Sequence, residues 1–227
     1  MPFDIRNDIY DTTPIQDKYV KLGKPSPLLG WPILVTPRRE GFTCSHNGED
    51  KEIFSLVPFE FDKYHSGAQA LKIWYLPYFA DTTQYTILDP RGADIMVTAP
   101  MTGCTFGVGT STISGQTIVA HSNAFSVDDR GAQRRQQARD AKSTINLRGA
   151  EANLSRGGLK PKLWEPKHYR SNDNTEILLF GIYSDGKSGK FWRGGGKKWR
   201  FYQHILDTSN MMNKEVKTLG ERIFRLK

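Results

Sequence analysis

The sequence predicts one α/β (α+β) domain over residues 1–227, with a mixed, strand-rich sheet core and flanking helices. Two observations carry that expectation. From Trp31 onward, short β-type runs alternate with turn residues, and Asp128 to about Leu154 is one long polar stretch of helical composition. Hydrophobic residues make up 37% of the chain and aromatics 11%, which suits one core. No fixed-period repeat or low-complexity linker marks a second unit.

The elements follow in order. The first ~30 residues hold Pro14, Pro25 and Pro27 and read as an irregular arm with one short helix around Ile15–Leu22. Trp31–Thr36, Ile53–Phe59, Ala70–Leu76, Tyr85–Leu88 and Ile95–Thr98 are strand candidates, spaced as in an antiparallel or mixed sheet. Cys104–Val108 and Gly115–Ser122 read as a hairpin. A polar helix then starts with Asp128 or Asp129 as its cap and ends at Ser155-Arg156-Gly157-Gly158. Glu176–Ser184 is the most apolar strand. Phe191–Arg193 and Trp199–Leu206 read as a second hairpin joined by Gly194-Gly195-Gly196, and Met211 to Lys227 as a terminal helix.

A net charge of +8 and a pI near 9.4 favour encounter with acidic partners. The two cysteines, Cys44 and Cys104, have no CxxC spacing, which argues against a disulfide scaffold or zinc ribbon and for a reduced final compartment. The N-terminus carries no basic region followed by an apolar run, and no stretch approaches the roughly 18 apolar residues of a membrane span. The expectation is a soluble chain, exported, if at all, without a cleavable leader.

Chemistry concentrates between Cys104 and His121. Alternation along a strand puts Cys104, Phe106 and Val108 on one face, and Thr117, Val119 and His121 on one face. A four-residue turn at Ser111-Thr112-Ile113-Ser114 would set Thr110 against Gly115 and carry the ladder back to Cys104 against His121. Directly opposed Cβ atoms lie roughly 4.5–5.5 Å apart, within contact range for a thiol and an imidazole. The imidazole would take the thiol proton, hold the thiolate as an ion pair, and return the proton to a leaving amine. Gly103 permits close backbone approach, so the amides of Gly103 and Cys104 are candidate oxyanion donors.

Met101-Thr102-Gly103-Cys104-Thr105, followed by Val119-Ala120-His121-Ser122-Asn123, resembles the cytotoxic necrotizing factor and Burkholderia lethal factor group of glutamine deamidases. That group carries a Ser-Gly-Cys motif after an aliphatic residue and places its base histidine about a hairpin later. Met101-Thr102 stands here where Leu-Ser is usual. The resemblance implies a fold of packed mixed sheets with flanking helices, with Cys104 as nucleophile and His121 as base. It adds Thr98, six residues before Cys104, as a third polar member. It also implies a bacterial toxin or effector that deamidates a host protein in the host cytoplasm, secreted or injected without a recognisable signal peptide. No cofactor or metal is expected, and a monomer is. A cysteine protease or transglutaminase using the same pair is the alternative within enzymes, and a non-catalytic basic nucleic-acid-binding module the alternative outside them.

Three other patterns read as structural. Gly181 to Ser188 satisfies the spacing of a phosphate-binding loop, but Gly189-Lys190-Phe191-Trp192 reads as strand where a helix is needed. Lys190 to Tyr202 interleaves cations with aromatics, as single-strand binders do, and equally suits a hairpin with its aromatics in the core. Cys44-Ser45-His46 lacks a preceding oxyanion glycine.

Overall fold

Two sheets of unequal size lie face to face, and a long helix covers the outer face of the smaller one. The computed structural model describes residues 3–16, 31–59, 70–111, 116–152, 159–170, 172, 174–184, 197–209 and 215–223. The strands are β1 (Ile9–Asp11), β2 (Ile33–His46), β3 (Glu49–Pro58), β4 (Leu71–Leu76), β5 (Thr83–Leu88), β6 (Ile95–Thr98), β7 (Thr105–Thr110), β8 (Thr117–Ser122), β9 (Lys162–Trp164), β10 (Thr175–Ser184), β11 (Lys198–Asp207) and β12 (Glu215–Arg222). The helices are α1, described over 13–16, α2 (Arg130–Glu151) and α3 (Pro166–Tyr169). The expected strand-rich α+β class is what forms, with 51% strand and 18% helix.

The larger sheet runs β1-β3-β2-β12-β11-β10-β6-β4, and the smaller β5-β8-β7-β9. The larger one also closes on itself. Near its start β2 pairs with β4, Leu34 against Lys72, and near its end Ser45 pairs with Glu215 of β12.

The apolar character of β10 follows from its position, since it is buried on both faces. Ile177 and Leu179 point toward the small sheet, where Phe106, Val108 and Val119 meet them in a cluster shared with Phe201 of β11. Leu178 and Phe180 point the other way, into a core with Val35, Ile73, Val97, Leu206 and Val216. Each fully buried Leu, Ile or Phe contributes roughly 1.5–3 kcal/mol. Ile5, Tyr10 and Ile15 of the N-terminal arm complete this second core.

Helix α2 begins where its sequence predicts. The Asp129 side chain accepts from the Ala132 N–H. Its buried stripe is Gln137, Ala141, Ile145 and Gly149, a four-residue repeat that lays one narrow face on β7 and β8. The approach is close because β7 offers glycines there. A Cβ on Gly107 would stand 2.7 Å from Ile145 Cδ1, and one on Gly109 2.5 Å from Ile145 Cγ2.

Three expectations change. The segment read as a terminal helix contains β12, antiparallel to β11; Gly220 at φ +63° stands within it, a conformation foreign to a helix interior. The arm is not wholly irregular, because β1 pairs in parallel with β3, Tyr10 against Phe54. The helix expected at Ile15–Leu22 opens earlier, over 13–16, and its remainder lies outside the described residues. Trp199–Leu206 lies in β11, which pairs with β10, Ser184 against Lys198; its expected partner Phe191–Arg193 and the turn Gly194-Gly195-Gly196 lie outside the described residues.

Candidate active site

The β7–β8 hairpin forms in a register two residues away from the expected one. Thr110 pairs with Thr117, their hydroxyls 3.2 Å apart, and the Ser111 N–H donates to the Gln116 carbonyl at 2.9 Å. His121 therefore stands opposite Phe106, and Ser122 opposite Thr105. Cys104 sits one residue ahead of the strand, on the line that leads to Asn123. A shift of two preserves the face, so Cys104 and His121 still point the same way, as diagonal neighbours rather than opposed ones. Diagonal pairs lie roughly 7–8 Å apart at Cα.

That face is the interior between the sheets. Cys104 is 6% exposed and His121 0%. Neither His121 ring nitrogen completes a hydrogen bond. Cys104 nevertheless has an outlet, since it lines a cleft of ≈ 540 Å³ together with Thr13, Gln16, Tyr78, Asn123 and Phe125.

Burial pushes the Cys104 thiol up to about 12, a backbone contact with Gly103 pulling the other way. Burial brings His121 down to about 4, against the Leu76 backbone, which favours the proton. Both shifts favour the uncharged pair. The ion pair expected from direct opposition is therefore not the resting state of this arrangement. A neutral imidazole with an open nitrogen can still accept the thiol proton as bond formation begins.

The remaining expected members are placed as follows. Tyr169 of α3 donates its hydroxyl to the Cys104 carbonyl at 2.8 Å, fixing the peptide that carries the thiol. A Cβ on Gly103 would meet only the Arg170 guanidinium, at 3.4 Å, so the backbone beside the thiol has open space before it. Thr98 is buried in the larger sheet, its hydroxyl donating to the Leu179 carbonyl at 3.4 Å and its carbonyl accepting from Thr12 at 3.0 Å. The structure brings Cys104 and His121 onto one face and does not direct the Thr98 hydroxyl to either. Thr98 borders the site through Leu76, its register partner.

Three neighbours escape the sequence reading. The Tyr78 ring lies 6.0 Å from the His121 ring and lines the cleft mouth. Gln16 holds Tyr78 in place, donating to its carbonyl at 2.7 Å and accepting its N–H at 3.3 Å, with the Tyr75 hydroxyl on the same Gln16 oxygen at 2.9 Å. Asn123 lines the cleft. Its position two residues after His121, hence on the same strand face, was the available signal; Tyr78 and Gln16 had none.

The structural readings of the other patterns are partly visible. Gly181–Ser184 is the end of β10, and 185–190, where a phosphate loop would need its helix, lie outside the described residues. Trp199 and Phe201 are buried, and Arg200 bonds Ser184. Cys44 is buried with its Sγ 3.7 Å from the Lys51 carbonyl, and His46 bonds the Val216 carbonyl through Nδ1 at 2.9 Å, so the two do not pair. No cluster of metal-ligating side chains occurs among the described residues, and no helix there is long and apolar enough to cross a membrane. No family model matches the chain, and no curated protein matches it.

Proposed function

We propose that the chain is a cofactor-independent amidase that deamidates a glutamine side chain of a host protein, with Cys104 as nucleophile and His121 as base. The observation that carries this reading is a thiol lining a cleft, on the same face as a buried imidazole that has the Leu76 backbone near it but completes no hydrogen bond. An unsatisfied buried imidazole costs free energy, and a working base is one reason to keep it. The choice of glutamine rests on the likeness of Thr102-Gly103-Cys104 and His121 to the necrotizing-factor and lethal-factor deamidases, as does action in host cytoplasm.

In this reaction the Cys104 sulfur attacks the amide carbon while its proton passes to His121. Backbone N–H groups around Gly103 and Cys104 receive the developing oxyanion. The C–N bond breaks, His121 returns the proton, and ammonia leaves a thioester. Water, deprotonated by His121, then attacks the same carbon, the thiolate departs and takes that proton back from His121, and the carboxylic acid loses its own proton to solvent to leave glutamate. The diagonal placement requires the two side chains to close on each other once substrate displaces water, with Tyr78 moving off the ring. The burial of Trp199 and Phe201 withdraws two of the five aromatics between Lys190 and Tyr202 on which a nucleic-acid reading depends.

The test is peptide mass spectrometry of eukaryotic cytosolic extract incubated with the wild type or with Cys104→Ser. Glutamine-to-glutamate conversion by the wild type alone supports the reading. New peptide termini would reassign the pair to a protease, new isopeptide links to a transglutaminase, and no change would count against the thiol site.

A further inference from the structure

One residue of the cleft stands nearer to the thiol in register than the histidine does. The β7–β8 ladder ends where Thr105 pairs with Ser122, and one further step along it sets Cys104 opposite Asn123. Opposed residues share a face and hold their Cβ atoms roughly 4.5–5.5 Å apart. Both side chains line the cleft, so they share one space as well as one face.

The backbone at Asn123 is fixed from both sides. Its N–H donates to the Thr82 carbonyl at 3.0 Å, the Ser122 hydroxyl before it lies 2.8 Å from that of Thr83, and the Ala124 carbonyl after it accepts from Gln133 at 2.8 Å. The side chain is half-buried, and its carboxamide has no hydrogen-bond partner among the described residues. Other carboxamides nearby are engaged: Gln16 holds Tyr78 and Tyr75, and Gln133 holds Ala124. Nor does Asn123 orient His121, whose ring nitrogens complete no hydrogen bond. A rigid backbone thus carries an unengaged N–H donor to the thiol.

Sulfur attack on a carboxamide drives negative charge onto its oxygen, which needs a donor aimed at it. Among the described residues, the cleft lining holds Glu176 and no cation, so that charge must be met by neutral donors. The strand also sorts the two ends of the carboxamide. Its nitrogen must face His121 to leave with a proton, and Asn123 lies two residues further along the same face, just past the end of β8. The oxygen is then directed toward Asn123.

We infer that Asn123 is a further catalytic residue of this site: its side-chain Nδ2–H donates to the carbonyl oxygen of the substrate carboxamide and to the oxyanion formed there, opposite the backbone N–H groups around Gly103 and Cys104. The inference rests on the amidase reading. As sulfur bonds to carbon, the C=O π pair moves onto the oxygen that Asn123 holds. When the pair returns, the C–N bond breaks and the nitrogen takes its proton from His121. Asn123 itself transfers no proton.

Two measurements on the wild type, Asn123→Ala and Asn123→Asp test it. One is the rate of glutamine-to-glutamate conversion in eukaryotic cytosolic extract, read by peptide mass spectrometry. The other is the rate at which methyl methanethiosulfonate, which has no carbonyl, modifies Cys104. Conversion should fall about 100-fold in Asn123→Ala, the loss typical of one oxyanion donor. It should fall at least as far in Asn123→Asp, which keeps the shape but offers only acceptors. Modification of Cys104 should keep its wild-type rate in Asn123→Ala, and thermal melts should show both variants folded. Undiminished conversion by Asn123→Ala, faster conversion by Asn123→Asp than by Asn123→Ala, or a modification rate that drops as far as conversion does would each overturn the role of Asn123 alone. A wild type whose Cys104 is modified but which converts no glutamine overturns the amidase reading, and this role with it.

Discussion

The hydroxyl of Tyr169 donates to the carbonyl of Cys104 across 2.8 Å, and the two residues come from opposite sides of α2 in the chain. Through this bond a short helix fixes the peptide carrying the thiol. Tyr169→Phe would leave that buried acceptor without its partner. The expected result is a loss of about 1–3 kcal/mol in urea denaturation, with ammonia release, on the proposed amidase reading, falling further than the stability change explains because the proposed oxyanion donors beside Cys104 lose their orientation. Unchanged turnover would show that the bond serves folding alone.

Thiol reactivity distinguishes a neutral pair from an ion pair. With the Cys104 thiol pushed up to about 12, its alkylation by iodoacetamide should rise about tenfold per pH unit across neutral and alkaline pH. An acid-side plateau at neutral or lower pH would instead reveal a thiolate held by His121. Cys44, buried and away from the cleft, should react more slowly throughout.

Acid should weaken the fold through its buried histidines. The His204 Nδ1 accepts the Gly220 N–H at 2.9 Å, so its proton is on Nε2, which donates to the Ile5 carbonyl at 3.1 Å. Burial lowers His204 from 6.5 to about 4, with the Ile5 carbonyl acting against it, and lowers His121 likewise. The folded state thus binds fewer protons than the unfolded chain. The contribution of these histidines is full above pH 6.5, declines as pH falls toward about 4, and levels off below that. Each histidine contributes a loss on the order of 3 kcal/mol over that interval. Urea midpoints measured down this range should fall for the wild type and fall less steeply for His204→Asn. A flat profile would count against both.

The glycines of β7 allow a compensating pair. Gly107→Ala drives a methyl into Ile145 Cδ1 and should cost about 1–3 kcal/mol. Ile145→Val removes that carbon, so the double variant should be more stable than the sum of the single changes predicts, by denaturation in a four-variant cycle. Strict additivity would show that α2 shifts instead.

Much of this fold was legible because its elements obey local rules. Alternation marked β4, β5 and β6 to within a residue or two, Asp129 announced α2, and the apolar run at Glu176–Ser184 reflected a strand buried on two faces. The hairpin too was legible, and with it the common face of Cys104 and His121. Its register was not, because the pairing of Thr110 with Thr117 depends on how the chain turns between Ser111 and Gln116, where the residue types impose no single turn. The segment of β12 read as a helix because its neighbours, β11 and β2, are contributed by distant parts of the chain, and tertiary pairing overrode local preference. Gly220 was the one dissenting residue. Tyr78 and Gln16 belong to the site only through contacts between the N-terminal arm and the loop after β4, which no local pattern encodes.

The double pairing of β2 sets an order of events for the growing chain. Its first residues can join β4 soon after synthesis, but its last must wait for Glu215, so the ring closes only after β12 has been made. Until then β2 and β11 each present an open edge, and the core around Phe180 lacks the wall that carries Val216. Such late, long-range closure predicts slow folding and a period of vulnerability before it. Loss of the β12 segment would therefore not simply trim the molecule; it would hold it in its unfinished form, with sticky edges that the native ring hides.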